Sequence, residues 1–377
     1  MKRIMETLLF KSALTIKTLL TGRITIELDR IPFQLSNVPY KKIFNWILVN
    51  ISFLLKLEKP WGYPTHVQIE PSNHCNLDCP MCPVTIGMNR SKEHLDLSVY
   101  KNFIDEVGDY LLAIVLWDWG EPFMNTELLD MISYATQKNI KVVTSTNGHF
   151  LNINNNADKI IQSGLDSIVI ALDGITQDTY GQFRSGGQLE TVIEGIRKLV
   201  ERKRELNSKT PFINIRMVAM RQNEKEISEI RSKAASLGVD AFSIKSFDYF
   251  YSSESKGQRS DFLPENRRLW RWILDDNGLP LRRKRNPCSA FWISPLVHSN
   301  GCVCPCWMDK DEKHPLGNLN HMKFRDIWFG KRYRELRNEF RRDWTRNELC
   351  RDCTYAYEGG SCTGETIVEV NFFSRNR

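Results

Sequence analysis

The sequence predicts an α/β protein built on a parallel sheet. Apolar runs of strand length alternate with helical segments between residues 66 and 246, and about six strand–helix units fit there. The runs are continuous, as in strands buried on both faces. Gly164 and Gly238 each follow a helical segment and end it. In such sheets the catalytic residues lie in loops at the carboxyl ends of the strands.

Each element has its own signal. The first helix has its apolar residues on one face, at positions 97, 100, 103, 104 and 107. The predicted strands are His66–Glu70, Leu111–Trp117, Ile140–Ser145, Ser167–Leu172, Phe212–Ala219 and Ala241–Lys245. The other predicted helices are Thr126–Gln137, Ala157–Gln162, Leu189–Glu205 and Glu224–Leu237.

Two apolar stretches, residues 8–20 and 43–57, precede the first strand and are interrupted by lysines. Neither reaches the roughly 18–20 uninterrupted apolar residues that a membrane span needs. We expect an N-terminal helical extension over residues 1–60 that packs on the body. An amphipathic helix at a membrane surface is the alternative. Because the chain starts without a recognisable signal peptide, we expect a cytoplasmic protein with possible membrane association.

The net charge of +7 has two sources late in the chain. They are the run Arg282–Arg285 and residues 321–351, which hold ten Lys and Arg against five Asp and Glu. Such runs are typical of solvated helix faces, and they also suit an anionic substrate or an anionic membrane surface. The sequence has no nucleic-acid-binding motif, so we expect no nucleic-acid partner.

Three of the ten cysteines, Cys75, Cys79 and Cys82, lie in the loop after the first strand with the spacing C-x3-C-x2-C. Structural zinc needs four ligands and a closed site. A [4Fe–4S] cluster held by three cysteines leaves one iron open. An open iron can bind a small molecule through an amine and a carboxylate. The missing fourth ligand therefore predicts a place for a cosubstrate.

This loop resembles that of the radical S-adenosylmethionine (radical SAM) superfamily. Four further motifs agree with the resemblance in chain order: "WGEP" (119–122), "STNGH" (145–149), "ALDG" (171–174) and an arginine followed by Gly-Gly (184–187). The resemblance covers roughly residues 66–246 and implies a partial (β/α)6 TIM-like barrel. It also implies that S-adenosylmethionine is bound by Gly120, Glu121, Pro122, Ser145, Asn147, Asp173 and Arg184. Trp119 and Ala171 depart from the usual glycine and serine.

A second cysteine set comprises Cys288, Cys306, Cys350 and Cys353. The Asn300-Gly301 pair between the first two predicts a hairpin turn. Four thiolates suit zinc or a fully ligated iron–sulfur cluster, and the spacing alone does not decide between them.

This region resembles the SPASM or twitch extension of radical SAM enzymes, and its spacing is similar to that of the twitch-type alcohol dehydrogenases of aminocyclitol biosynthesis. The resemblance implies one auxiliary [4Fe–4S] cluster in a small α+β domain, residues 288–377. That domain follows a core at 61–247 and a linker at 248–287. The sequence does not assign a role to the three remaining cysteines, which are Cys302, Cys304 and Cys362. Each is a substitute ligand, a hydrogen-atom donor or a buried thiol.

The resemblance implies a radical SAM oxidoreductase. An electron from a flavodoxin or ferredoxin-type reductant cleaves S-adenosylmethionine, and the 5′-deoxyadenosyl radical removes a hydrogen atom from the substrate. We expect the substrate to be a small sugar, cyclitol or lipid-like molecule that is oxidised. The alternatives are a peptide-modifying or protein-maturing enzyme, a radical epimerase, and a non-catalytic iron–sulfur electron carrier. Glu121 favours an enzyme, because a carrier needs no amine site. The base that takes the substrate proton is not identified.

Overall fold

The computed structural model describes residues 18–28, 31–248, 259–277, 279–283, 288–351, 353, 356–358 and 367–370. Cys362 and parts of the predicted linker (249–258, 278 and 284–287) lie outside the described residues. The strands are β1 (Ile24–Leu28), β2 (Ile31–Leu35), β3 (His66–Ile69), β4 (Ala113–Val115), β5 (Lys141–Thr146), β6 (Ser167–Ala171), β7 (Phe212–Ala219), β8 (Ala241–Ser246), β9 (Leu296–Val297), β10 (Cys302–Cys304), β11 (Gly317–Asn318) and β12 (Ile367–Val370).

The main sheet has the order β11-β10-β9-β3-β4-β5-β6-β7-β8-β12 within the described residues. The six strands from β3 to β8 are parallel and in chain order, as predicted. This sequential order, with a helix after most strands, is that of a partial barrel. The C-terminal strand β12 pairs antiparallel with β8, and β9 pairs parallel with β3.

Helices cover one face of the parallel strands. The longer ones are Tyr40–Leu54, Leu97–Val107, Leu128–Gln137, Asn156–Gln162, Gln177–Phe183, Leu189–Glu205, Ile227–Leu237 and Lys331–Asp343. The short ones are Pro83–Ile86, Arg259–Phe262, Ala290–Ile293, Phe324–Trp328 and Glu348–Arg351. Asp96 caps the second of the longer helices by accepting from the amides of Ser98 (2.7 Å) and Val99 (3.3 Å).

The two faces of the sheet differ. Val67, Ile69 and Ile168 point to the helix layer and belong to the main hydrophobic core. Side chains alternate along a strand, so Gln68 and Glu70 point to the opposite, inner face. The inner face of the barrel therefore carries polar groups close to the cysteine loop.

The N-terminal extension differs from the predicted helical one. Strands β1 and β2 form an antiparallel hairpin, and its apolar side packs on Leu112, Ala113 and Val143 at the inner face of the sheet. Isoleucines and leucines alternate with polar residues in β1, which is the pattern of a half-buried strand. A helix does follow, from Tyr40 to Leu54, where the second apolar stretch predicts one.

The C-terminal region joins the sheet rather than lying apart from it. The predicted Asn300-Gly301 turn is confirmed: β9 and β10 form a hairpin around it, and Gly301 has a φ of +80°. Arg337 lies fully buried behind the hairpin, 3.7 Å from the Tyr333 ring centroid and 4.3 Å from that of Trp328. None of the described helices is both long and apolar enough to cross a bilayer.

Candidate active site

The cysteine loop follows β3 at the carboxyl edge of the sheet. Cys79 is buried, and Cys75 and Cys82 are half-buried. The Cys82 amide donates to the Cys79 carbonyl at 3.0 Å, which makes a tight turn between the last two cysteines. The Asp78 amide donates to the Ser185 carbonyl at 3.0 Å. The loop is therefore tied to the segment after β6 that carries the predicted arginine.

The three thiols influence one another's ionisation. Burial raises the pKa of Cys75 and Cys79, and it raises the pKa of Cys82 to about 12. Cys79 and Cys75 add to the rise at Cys82. A buried thiolate needs a positive partner, which an iron centre provides. No three His, Cys, Asp or Glu side chains of the described residues are placed to hold a single ion. The ligands of a cubane bind different irons and stand farther apart, so the donor set fits a cluster.

The turn after β4 packs directly on the cysteine loop. Gly120 has a φ of +86°, and a Cβ there would lie 2.5 Å from the Ser72 carbonyl oxygen and 2.7 Å from that of His74. The next amide, that of Glu121, donates to the His74 carbonyl at 2.7 Å. Only glycine allows this approach of two backbones. It brings the Glu121 carboxylate to the edge of the cysteine loop.

The Glu121 carboxylate is buried and held by three donors. They are the amide of Phe123 (3.1 Å), the hydroxyl of Thr146 (2.8 Å) and the amide of Asn147 (2.7 Å). Burial raises the pKa of Glu121 to about 7, and these hydrogen bonds offset part of that rise. A carboxylate has about four acceptor positions, so one stays available for an amine.

The other residues predicted around this turn have different places. Asn147 donates to the Asn76 side chain at 2.8 Å and lies 3.9 Å from the Cys75 sulfur. Pro122 is buried and begins the short 3-10 turn Pro122–Met124. Ser145 is half-buried on β5. Asn147 therefore lies nearest to the thiols, and Pro122 shapes the backbone.

Asp173 and Arg184 form an ion pair on the other side of the cysteine loop. The Arg184 Nε lies 2.6 Å from Asp173 Oδ2, and its Nη1 lies 3.9 Å from the Cys79 sulfur. Asp173 is fully buried and also accepts from the Val218 amide at 2.6 Å. The arginine is therefore fixed between a carboxylate and a cysteine of the loop.

The raised pKa of Glu121 predicts a pH dependence for S-adenosylmethionine binding. Only the ionised carboxylate accepts its three protein hydrogen bonds and still has an acceptor position for an amine. With a pKa of about 7, about a tenth of the carboxylate is ionised at pH 6, so we expect the dissociation constant to be about tenfold larger there than at pH 8. Calorimetric titration of the anaerobically reconstituted protein measures this constant.

Glu121→Gln is expected to weaken binding and to remove its pH dependence. Glu190→Gln, an exposed glutamate at the start of a surface helix, is the control and keeps both. Equal dissociation constants for wild type at the two pH values would contradict the assignment.

The second cysteine set comes together in the C-terminal region. Burial raises the pKa of Cys306 well above its usual range, and Cys350, Cys288 and Cys353 raise it further. Burial, Cys288 and Cys353 likewise raise the pKa of Cys350. Cys288, Cys350 and Cys353 therefore lie near enough to Cys306 to affect its ionisation, which brings together the four cysteines of the predicted set.

Cys302 and Cys304 form a separate pair. They are buried in a small cluster with Leu296, and a hydrogen bond between the two thiols is the main cause of the raised pKa of Cys304. Cys302 also hydrogen-bonds to the Glu312 carboxylate. The pair faces Glu312 and lies apart from the contacts among the other four, which favours buried thiols over substitute ligands.

Asp118 is a candidate residue that the sequence did not single out. It lies beyond the end of β4, two positions before Gly120, and its Oδ1 accepts from the Gln68 side chain at 2.8 Å. Its Oδ2 is buried with no hydrogen-bond partner among the described residues. Burial, and then the charge of Glu70, raise its pKa well above the usual range. An acidic residue in the apolar run "AIVLWDW" was the available signal.

A buried polar network joins this region to the C-terminal hairpin. Both nitrogens of the Arg90 fork donate to the Glu70 carboxylate, at 2.8 and 2.9 Å. The amide and hydroxyl of Ser299 donate to the same carboxylate, at 3.0 and 2.8 Å. Burial alone would raise the pKa of Glu70, but Arg90 and its other partners lower it. The network therefore holds the C-terminal hairpin of β9 and β10 against the end of β3.

Two family models match the chain. Residues 69–234 match the model described as the radical SAM superfamily, and residues 288–354 match SPASM, an iron–sulfur cluster-binding domain. The first covers the parallel strands and the cysteine loop, and the second includes all four cysteines of the second set. A radical SAM domain uses a [4Fe–4S] cluster and S-adenosylmethionine as cofactors. A SPASM domain binds auxiliary iron–sulfur clusters.

The chain is similar to two curated proteins over most of its length. It is 26% identical to an AdoMet-dependent heme synthase of Methanosarcina barkeri, over 73% of this chain and 85% of that protein. It is 24% identical to the PqqA peptide cyclase of Gluconobacter oxydans, over 77% and 82%. The structure of SuiB from Streptococcus suis bound to S-adenosylmethionine shares the fold, with a TM-score of 0.60 and 18% identity over 87% of this chain and 80% of that one.

Proposed function

Because the chain belongs to the radical SAM superfamily and carries a SPASM domain, we propose that it uses radical chemistry to modify a peptide or protein substrate. The observation that carries the radical SAM part of the proposal is the convergence of Glu121 and Arg184 on the cysteine loop. This convergence provides a binding place for the cosubstrate beside the thiols.

The roles of the residues follow from their contacts. Cys75, Cys79 and Cys82 hold the cluster that binds S-adenosylmethionine. Glu121 offers its remaining acceptor position to the methionine amine, and Gly120 keeps the turn close to the loop. Arg184 brings a positive charge to within hydrogen-bonding reach of the Cys79 sulfur. This charge stabilises the thiolate form of Cys79.

The auxiliary site has an equally direct assignment. Its proposed ligands are the four cysteines whose thiols affect the ionisation of Cys306 and Cys350: Cys288, Cys306, Cys350 and Cys353. When bound, the two clusters supply the electron that cleaves S-adenosylmethionine and an acceptor for the electron left on the substrate. A flavodoxin or ferredoxin-type protein is the proposed reductant. The protein itself binds, orients and shields the reacting groups.

Asp118 is the proposed proton acceptor. Removal of a hydrogen atom and then of an electron leaves a proton to be taken up by the protein. Its buried Oδ2 is available at the carboxyl edge of β4, near the turn that carries Glu121. Gln68 holds the other oxygen and fixes the carboxylate. Burial and the charge of Glu70 raise the pKa of Asp118, so its ionised carboxylate binds a proton more tightly than that of an exposed aspartate.

The peptide substrate is supported by the PqqA peptide cyclase, whose similarity extends over 77% of this chain. A small molecule is the second candidate and was the first expectation from the sequence. The heme synthase of Methanosarcina barkeri favours it, because the name of that relative gives a product that is not a peptide. An oxidation and an epimerisation differ in whether two hydrogens are lost from the substrate.

The experiment has two stages. Reduced, reconstituted protein is first incubated with S-adenosylmethionine alone, and 5′-deoxyadenosine is measured by liquid chromatography. Synthetic peptides encoded beside this gene are then added, and their masses are compared before and after reaction. We expect the nucleoside in the first stage and a peptide lighter by two hydrogens in the second. No nucleoside in either stage would favour an electron carrier, whereas turnover of a metabolite but of no peptide would favour the second candidate.

A further inference from the structure

The helix Tyr40–Leu54 has an unusual distribution of polarity. Its buried face includes Lys42, Asn45 and Ser52, all less than a tenth exposed. Each is satisfied within the fold: the Lys42 ammonium donates to the Asn139 carbonyl at 3.0 Å, and the Asn45 amide donates to the Tyr63 carbonyl at 3.0 Å. The helix also buries Ile43 and Val49, so the side that it packs on the fold mixes apolar and polar groups.

The opposite face carries large apolar side chains in the open. Tyr40 is 67% exposed, Phe44 56% and Leu48 36%, and Leu55 follows the end of the helix at 56%. Their spacing of four, four and seven residues places them on one stripe. We call this set the helix stripe, and it is about 22 Å long at 1.5 Å per residue. Trp61 is also exposed, at 57%. A stripe of this size is typical of an interaction surface.

The charge around the helix stripe is positive. Among residues 18–28 and 31–62, five Lys and Arg stand against two Asp and Glu. Lys59 is exposed just beyond the helix, and Lys41 is exposed in its first turn, where it pairs with Asp109 at 2.6 Å. The first 17 residues, outside the described part of the chain, hold four basic residues and one acidic residue among many apolar ones. Apolar side chains with aromatic rings and lysines side by side suit the headgroup region of an anionic bilayer.

We propose that this chain docks on the surface of a membrane containing anionic lipids through the helix stripe. The helix would lie along the surface with Phe44 and Leu48 between the headgroups, while Lys59 attracts acidic phospholipids. The positive charge distinguishes this occupant from a second copy of the chain, which would bring the same charge to the interface. The proposal is independent of the substrate assigned above.

Vesicle sedimentation tests it. Full-length, reconstituted protein is mixed with vesicles of phosphatidylcholine alone or of phosphatidylcholine with phosphatidylglycerol in a 2:1 ratio, and the bound fraction is measured at low and high salt. We expect binding to the anionic vesicles, which salt weakens. The double variant Phe44→Ser and Leu48→Ser is expected to bind at least about tenfold more weakly, because two apolar side chains lose their insertion.

The control is Ile153→Ser, which removes an apolar side chain that is 44% exposed elsewhere on the surface. It is expected to bind like wild type. Thermal melting shows whether the double variant is folded, and the single variants Phe44→Ser and Leu48→Ser replace it if it is not, each with a smaller loss. The proposal is overturned if wild type binds neither vesicle, if the folded stripe variants bind like wild type, or if the stripe instead mediates self-association in sedimentation velocity.

Discussion

Replacing Cys79 by alanine is expected to abolish cleavage of S-adenosylmethionine. Cys79 is the most buried of the three loop cysteines and faces the Arg184 guanidinium. A cubane with two protein ligands is not retained, so the iron content of reconstituted protein is expected to fall from about eight atoms per chain to about four. Iron analysis and the yield of methionine and 5′-deoxyadenosine measure the two effects.

Cys302→Ala is the matched control. Cys302 is equally buried, at 5% exposed against 6% for Cys79, but its partners are Cys304 and Glu312 rather than the loop. It is expected to keep about eight irons and full nucleoside formation. A Cys79→Ala protein that still forms methionine at the wild-type rate would show that the loop is misassigned. A loss of four irons in Cys302→Ala would transfer this cysteine to the auxiliary ligands.

Replacing Glu70 by alanine is expected to lower the free energy of unfolding by about 3–5 kcal/mol. The carboxylate is fully buried and accepts both arms of Arg90, whose side chain is 3% exposed. Its removal takes both of these hydrogen bonds from a buried guanidinium and leaves, among the described residues, only the Glu312 carboxylate at 3.7 Å as an ion-pair partner. The amide and hydroxyl of Ser299 also lose their acceptor. Urea unfolding followed by circular dichroism measures the change.

Asp105→Ala provides the comparison, because Asp105 pairs with Lys138 where both side chains are at least a third exposed. Water screens that pair, and its loss is expected to cost less than about 1 kcal/mol. Similar urea midpoints for the two variants would mean that the Glu70 network does not hold the hairpin on β3.

The sequence predicted the parallel strands well, and the cysteine loop follows the first of them as predicted. Leu189–Glu205 and Phe212–Ala219 have the predicted bounds, because a long apolar stripe and a continuous apolar run are unambiguous signals. The cysteine loop and the glutamate turn were predictable because each is local in the chain. The family match at residues 69–234 confirms the resemblance to the radical SAM superfamily.

Features that depend on distant partners were not predictable. Strands β1 and β2 are five residues each, and their apolar side is explained only by the inner face of the sheet that they cover. In the sequence Asp118 is a single acidic residue in an apolar run. Its hydrogen bond comes from Gln68, which lies fifty positions earlier in the chain. The polar residues buried by the helix Tyr40–Leu54 have partners that are distant in the chain, such as Asn139. The apolar periodicity therefore predicted the helix but not which of its faces is buried.

The continuity of the sheet from β3 into β9 limits how this enzyme can be re-engineered. The auxiliary half contributes a strand to the catalytic half, and Trp292 and Trp328 donate to the carbonyls of Leu57 and Gly62 across the junction. Cutting the chain near residue 288 would expose the unpaired edge of β3 and remove the two Ser299 donors of Glu70. A different C-terminal half could therefore be joined to this core only if it also kept the strand β9 and the residues that contact the core across the junction.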